Sequence, residues 1–281
     1  MKQAGLITSP ANRYVKLARS LRERSGREKK GLYLIEGIHL LEEALQAGIP
    51  LEVVLYSPQI LAAPRGEQLV AALQEAGYRC LAVTEELMQA ISTTVTPPGV
   101  VAIAPFQASS LTRLLSRPSP LLMVAAGLQD PGNLGTIWRT ALGAGATGLI
   151  LTRGSVDPFN PKVVRAAMGA TFKLPVVSGV EPATLVRELE ACGIKLVVAD
   201  VSAPLVFWQA DLRPPLALAV GSENHGPGRE LLAAATARVG IPLVGPVESL
   251  NAAVAAALLL YEALRQRQDL IYTVDLRKTY G

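Results

Sequence analysis

Six short apolar runs, at residues 121–126, 148–152, 172–177, 194–199, 216–220 and 237–241, alternate with helical stretches through the second half of the chain. Runs of four to six such residues suit strands buried on both faces, because a strand with one wet face alternates apolar and polar side chains instead. The pattern therefore predicts a mostly parallel sheet with helices covering either side. The first half repeats the theme on a smaller scale. Strands are expected at 32–35, 51–56, 79–83 and 100–104 and helices at 37–47, 65–76 and 84–90, which makes a small α/β domain. Between the halves, residues 105–120 are rich in Ser and Pro and hold no sustained apolar period, although Leu111, Leu114 and Leu115 fit one helical turn. The expected organisation is an N-terminal domain over 1–104, a linker over 105–120 and a second domain over 121–281. The length of 281 residues agrees, since single cores stop growing near this size.

Charge is unevenly spread. Residues 1–30 hold nine Lys or Arg against Glu23 and Glu28, so this segment carries +7 of a chain whose total is +4, and the rest is slightly acidic. A concentrated cationic arm on a near-neutral body is the footprint of a protein that meets phosphate backbones. Within it, Tyr14, Leu17, Ala18 and Leu21 recur at helical spacing while Arg13, Lys16, Arg19 and Arg22 fall elsewhere around the helix. With 50% apolar and 18% charged residues, dominant disorder is excluded. The longest apolar stretch, 252–261, is ten residues where a bilayer span needs about 20, and the first residues show no secretory h-region, so the expectation is a cytoplasmic protein away from membranes. Cys80 and Cys192 have no CxxC spacing and only His39 and His225 to join them, so no zinc set is expected and both thiols are read as buried.

The GAGATG run at 143–148 matches the dinucleotide fingerprint GxGxxG, but its order is wrong. That fingerprint needs a strand before the glycines and a helix after them, so that a helix N-terminus faces the pyrophosphate. Here the helical stretch 134–142 precedes and the strand follows, so the glycines are expected to end a helix and turn into a strand. No GxxxxGK[ST] occurs.

Three other segments place polar or Gly residues just past buried strands, where ligands gather in open α/β sheets. In LQDPGNLGTIWRTA, 128–141, a loop leads into a helix with Asn133 expected as its N-cap, and Gly135 lies one turn before Arg139, clearing the face where the guanidinium emerges. In VGSENHG, 220–226, Gly221 lets a ligand approach the backbone, Ser222 and Glu223 supply a hydroxyl and a carboxylate, and His225 is read as a loop residue on the rim. In 241–264, a Gly-Pro loop leads to a helix expected to start at Glu248, Ser249, Leu250 and Asn251 and to be buried, because it has no clear polar face.

Taken together, NxGxxxR (Asn133, Gly135, Arg139), GSExxG from Gly221 to Gly226, and the IP…ESLN run (Ile241, Pro242, Glu248 to Asn251) resemble the three motifs of the SpoU/TrmH-like RNA 2′-O-ribose methyltransferases of the SPOUT superfamily. Order and spacing both fit. Residues 1–104, with Asn12, Lys16 and the IEG run at 35–37, are similar to that family's N-terminal substrate-binding domain. The resemblance implies a C-terminal domain that holds S-adenosylmethionine in a trefoil knot, and two subunits pairing to complete the sites. It further implies that Gly221, Ile241 and Leu250 contact the cofactor, and that Asn133, Arg139, Glu223, Ser249 and Asn251 serve catalysis. RNA is the implied partner, ribosomal RNA ahead of transfer RNA. The charge pattern of the arm separately leads to the expectation that Arg13, Lys16, Arg19 and Arg22 grip RNA phosphates, and no metal requirement is visible.

The expected reaction needs in-line placement and a route for the proton of a poorly nucleophilic ribose hydroxyl. A guanidinium stays protonated, so Arg139 is expected to orient a phosphate and stabilise the developing alkoxide rather than act as a base. The alternative reading is a non-catalytic RNA-binding or ribosome-assembly protein on the same scaffold, and cofactor titration separates the two.

Overall fold

The computed structural model describes residues 5–107, 109–222 and 225–268. Its elements run α1 (Arg13–Ser20), α2 (Arg24–Lys30), β1 (Leu32–Glu36), α3 (Ile38–Gln46), β2 (Val53–Tyr56), α4 (Pro64–Glu75), β3 (Cys80–Ala82), α5 (Glu85–Ile91), β4 (Val100–Pro105), α6 (Leu111–Leu115) and β5 (Leu121–Ala126). They continue with α7 (Pro131–Gly143), β6 (Gly148–Thr152), α8 (Pro161–Ala166), β7 (Val176–Val180), α9 (Pro182–Ala191), β8 (Lys195–Ala199), β9 (Leu205–Val206), β10 (Leu216–Gly221), α10 (Arg229–Ala234), β11 (Ala237–Gly240) and α11 (Ala252–Arg267). The chain divides into two compact units. One gathers the residues up to Ser109 with Asp130–Arg139 and Val156–Val176, and the other takes Ser110–Gln129, Thr140–Ser155 and the chain from Val177.

The first unit holds a four-stranded sheet in the order β1-β4-β2-β3, antiparallel except for β2 with β3. Apolar side chains of α1 pack on it: Val15, Ala18 and Leu21 join Val83, Leu87, Met88 and Ile91 in one buried cluster. The buried face of α1 thus includes Val15, with Tyr14 and Leu17 at its margin, which shifts the expected stripe by about 50° around the helix. Full burial of Val15 and Leu21 contributes about 4 kcal/mol, enough to fix a helix of only eight residues. The cationic arm continues into α2, where one of its charges is turned into the fold. Arg27 is 2% exposed; its Nη2 lies 2.6 Å from Asp157 Oδ2, and Nη1 donates to the carbonyls of Leu21 and Arg22. Nε also donates to Asp157 Oδ2 at 2.7 Å, so each of the three nitrogens of that fork has a partner, as burial of a guanidinium requires.

The second unit holds a seven-stranded sheet in the order β7-β6-β5-β10-β8-β11-β9. The registered pairs of β5 with β6, β5 with β10, β10 with β8, β8 with β11 and β11 with β9 are all parallel. The central strands β5, β6 and β10 are almost wholly buried, as continuous apolar runs predict. Two expectations need correction. Residues 172–177 are not a strand, because Ala170–Phe172 form a 3-10 turn and β7 starts only at Val176; Phe172 and Leu174 are buried, but in a turn that belongs to the first unit. The long apolar helix starts at Ala252, not at Glu248. By contrast, the GAGATG run ends α7 as expected: Ala146 N donates to Ala141 O at 2.9 Å, Gly145 N donates to Leu142 O at 3.1 Å, and Gly145 sits at φ +75°. These paired bonds around a left-handed glycine close a Schellman turn, which delivers the chain to β6. In the segment 105–120, α6 buries Leu114 and Leu115, and a side chain at Gly148 would meet Leu114 at 2.8 Å. Among the described residues no helix is long and apolar enough to cross a membrane.

Candidate active site

Three neighbouring parallel strands, β10, β8 and β11, end together, and a cavity of about 370 Å³ opens at their carboxyl ends. This is where an open parallel sheet leaves room for a ligand, since the loops after the strands diverge to reach different helices. Val220, Gly221 and Ser222 close β10, Ala199 and Asp200 close β8, and Val239 and Ile241 flank the end of β11; all line the cavity. Glu248, Ser249 and Leu250 complete the wall with Ala252 and Ala255 of α11. The lining residues are mostly apolar or glycine, with Asp200, Ser222, Glu248 and Ser249 as the polar ones, the usual make-up of a small-molecule site.

Gly221 is required here for a different reason from the one its sequence context suggests. A Cβ on it would lie 1.9 Å from Gly226 C and 2.1 Å from Pro227 N, so its place is taken by the chain's own returning loop rather than by a ligand. That loop is tied by Gly226 N donating to Ser222 O at 2.9 Å and His225 N donating to Ser222 Oγ at 3.2 Å. Glu223, expected among the catalytic residues, lies outside the described residues.

Asp200 was not singled out by the sequence, although it directly follows the strand expected at 194–199 and the strand-end rule could have found it. Its Oδ1 accepts from Ser202 N and Oγ at 3.0 and 2.8 Å, and its Oδ2 accepts from Arg238 Nε at 2.7 Å. Burial works to raise this carboxyl, but the bonds from Ser202 and Arg238 outweigh it and hold the group below the ordinary aspartate range. An ionised carboxylate therefore fixes the 200–202 turn at the cavity wall.

Of the eight residues expected to bind cofactor or serve catalysis, Gly221, Ile241, Ser249 and Leu250 line this cavity. Asn251 is the N-cap of α11, its Oδ1 accepting from Ala253 N at 2.9 Å and Val254 N at 3.4 Å, and it is not among the lining residues. Asn133 and Arg139 belong to α7. There the expected cap is corrected. Asp130 caps the helix, with Oδ1 accepting from Asn133 N at 2.7 Å, and Pro131 takes the first turn, so Asn133 is already helical. Gly135 is also reassigned: a Cβ would lie 2.4 Å from Ala166 Cβ and 2.8 Å from Val163 O, so the glycine lets α7 press against α8 and does not serve to clear space for Arg139. Next to Arg139, which is exposed, Trp138 is fully buried and donates through Nε1 to Leu174 O at 3.0 Å.

The four cations expected to grip RNA, Arg13, Lys16, Arg19 and Arg22, are all exposed. Arg22 is partly committed to the fold, since its Nη1 donates to Ala90 O at 2.9 Å near the end of α5. The thiols differ from the expectation of two buried groups: Cys80 is partly buried, which pushes it up to about 11, whereas Cys192 is exposed at the end of α9. Among the described residues no group of three or more His, Cys, Asp or Glu is placed to hold a metal ion.

A model of the SpoU rRNA Methylase family matches residues 120–261, and one of the MRM3-like substrate binding domain matches residues 12–102. The chain is 35% identical over 262 residues to the Bacillus subtilis (strain 168) 23S rRNA (guanosine(2553)-2′-O)-methyltransferase RlmP, covering 93% of this chain and 98% of that one. Among solved structures, the crystal structure of an RNA 2′-O ribose methyltransferase is 39% identical with a TM-score of 0.80, covering 94% of this chain and 99% of that one. The AdoMet-bound rRNA methyltransferase from Sinorhizobium meliloti is 32% identical with a TM-score of 0.83, covering 94% and 98%.

Proposed function

The chain belongs to the SpoU rRNA methylase family, and from that premise we propose that it transfers a methyl group from S-adenosylmethionine to a ribose 2′-oxygen of RNA. The carrying observation is the cavity at the carboxyl ends of β10, β8 and β11, because it gathers Gly221, Ile241, Ser249 and Leu250 from two separate sequence motifs. Its volume of about 370 Å³ suits a nucleoside-sized ligand. Gly221, Ile241 and Leu250 hold the cofactor there. When bound, S-adenosylmethionine supplies an electrophilic methyl on a sulfonium. The residues of this chain have the remaining work: to place the 2′-hydroxyl in line, to accept its proton, and to stabilise the negative charge this leaves on the oxygen until the C–O bond forms and the methyl's bond to sulfur breaks. Arg139 orients the phosphate of the target nucleotide and stabilises the alkoxide through its guanidinium. Asn133, Glu223, Ser249 and Asn251 are the other residues assigned to catalysis in this reading.

Ribosomal RNA is the substrate in this reading, ahead of transfer RNA; the match of residues 12–102 to a substrate binding domain and the 23S rRNA for which the Bacillus relative is named support it. Residues 1–104 then serve substrate binding, 105–120 link, and 121–281 form the methyltransferase domain with its chain drawn through a trefoil knot. The protein acts in the cytoplasm. Calorimetric titration with S-adenosylmethionine, followed by mapping of ribose methylation in total RNA from cells with and without the gene, tests the reading. Saturable binding and the loss of a 2′-O-methyl mark are expected. Absence of binding at about 1 mM cofactor, weaker than roughly −4 kcal/mol, would leave a non-catalytic RNA-binding protein.

The enzyme works as a homodimer in this proposal, with α11 in the interface. Val254, Leu258 and Tyr261 recur at i, i+4 and i+7 and stay exposed while Ala256, Leu259, Leu260 and Ala263 are buried on the opposite side. A three-residue apolar stripe on a helix already docked on its own domain is a surface suited to a second copy. Val254→Asp combined with Leu258→Asp is expected to turn a dimeric mass into a monomeric one in light scattering at micromolar concentration. A wild-type chain that is itself monomeric there would refute the proposal.

A further inference from the structure

Arg13 and Arg79 come from different elements of the first unit, one opening α1 and the other directly preceding β3. Their guanidinium groups converge on a single atom. Arg13 Nη2 donates to Tyr14 Oη at 2.6 Å and Arg79 Nη1 donates to the same oxygen at 2.5 Å. The guanidinium carbon of Arg13 stands 4.5 Å from the centre of the Tyr14 ring, and that of Arg79 5.9 Å. The backbone beneath is fixed on both sides: Asn12 Oδ1 accepts from Tyr14 N at 2.9 Å, and Arg79 O accepts from Val54 N at 2.9 Å.

This arrangement is unusual for a surface. Among the described residues neither arginine is in an ion pair, whereas Arg24, Arg65, Arg153, Arg213, Arg238 and Arg265 each reach a carboxylate. Two like charges directed at one neutral oxygen repel each other, and a phenol offsets little of that repulsion. Burial works to raise the Tyr14 phenol, but the bonds and charges of Arg79 and Arg13 outweigh it and hold it below the ordinary tyrosine range. A more acidic phenol is a better donor to an anion. All three groups remain at the surface.

We propose that Arg13, Tyr14 and Arg79 form a binding site for one phosphodiester of the RNA, the two guanidiniums bonding to its non-bridging oxygens and the phenol O–H donating to it. The proposal rests on the reading of this chain as an RNA-modifying enzyme, and it extends the grip beyond the first thirty residues to Arg79, which the charge distribution alone does not single out. Such a contact sets position without reading sequence. A guanidinium fork meets a phosphate through two parallel bonds, and two forks from separate elements fix where the backbone crosses the domain.

The test measures binding of a short fluorescent oligouridylate to the full chain across a salt series. Arg79→Ala is expected to make the log–log slope shallower by about 0.7 and the affinity about fourfold weaker near 0.15 M salt, the effect of one lost single-strand phosphate contact. Arg79→Gln keeps a neutral donor for Tyr14 and is expected to give the same change in slope with an unchanged melting temperature, which separates loss of charge from loss of fold. Lys16→Glu with Arg19→Glu serves as the comparison. If that pair flattens the slope while both Arg79 variants leave it at the wild-type value, the phosphate site is overturned and the RNA reading of the arm stands. If none of the variants alters the slope, both fall.

Discussion

Arg139→Ala is expected to abolish methyl transfer, with a loss of about 10² to 10³ in single-turnover rate, while the melting temperature and the affinity for S-adenosylmethionine stay close to wild type. The separation follows from the position of the residue. Arg139 is exposed on α7, and the neighbouring Trp138 carries the packing on that part of the helix, fully buried and bonded to Leu174 O. Truncating an exposed side chain outside the core moves stability by about half a kcal/mol at most. Arg139 is also absent from the residues that line the cavity. A variant that retains more than about a tenth of the rate, a barrier change under roughly 1.4 kcal/mol, would remove Arg139 from the reaction.

The second large effect is expected at Gly221, and the smallest possible substitution should produce it. In Gly221→Ala the new Cβ would fall 1.9 Å from Gly226 C and 2.1 Å from Pro227 N, both backbone atoms with no rotamer to change. The loop after β10 must move outward, and it forms part of the cavity wall through Ser222, Gly226 and Pro227. Cofactor affinity is expected to fall at least about tenfold, or roughly 1.4 kcal/mol, with a stability loss of about 1–3 kcal/mol from overpacking. Calorimetry that finds an unchanged dissociation constant in a folded Gly221→Ala variant would show that the loop does not shape the site.

What could be read from the sequence tracks how locally each feature is determined. The spans of β5, β6 and β10 follow from apolar runs alone, because a strand buried on both faces leaves no alternation to misread. β7 was misplaced because Phe172 and Leu174 are as buried as strand residues yet sit in a turn, while β7 itself carries exposed Ser178 and Gly179. Burial sets the composition there, not the backbone conformation. Within the site, the segments were recognisable but the reasons for single residues were not. Asn133 and Asp130 are both good caps, and only the observed bond from Asn133 N to Asp130 chooses between them. Gly135 and Gly221 each answer to a partner distant in sequence or folded back on itself, Ala166 in one case and Gly226 in the other, and spacing carries no record of such approaches. Arg27 counts as one more charge in the basic arm until Asp157, 130 positions later, is found beside it.

The order of the large sheet also governs how the chain must be made. Leu121 pairs with Leu216, and the whole of β5 lies between β6 and β10, so one flank of the most apolar strand waits for a partner roughly 95 residues downstream. Closing a loop of that length costs about 4 kcal/mol of chain entropy before any contact repays it. At about 5–20 residues per second of synthesis, the edge of β5 is bare for about 5 to 20 s on each ribosome. An unpaired, apolar strand edge is a template for other unfinished chains. How much of this enzyme a cell obtains therefore depends on what shelters Leu121–Ala126 during those seconds, a demand set by strand order and not by the stability of the finished fold.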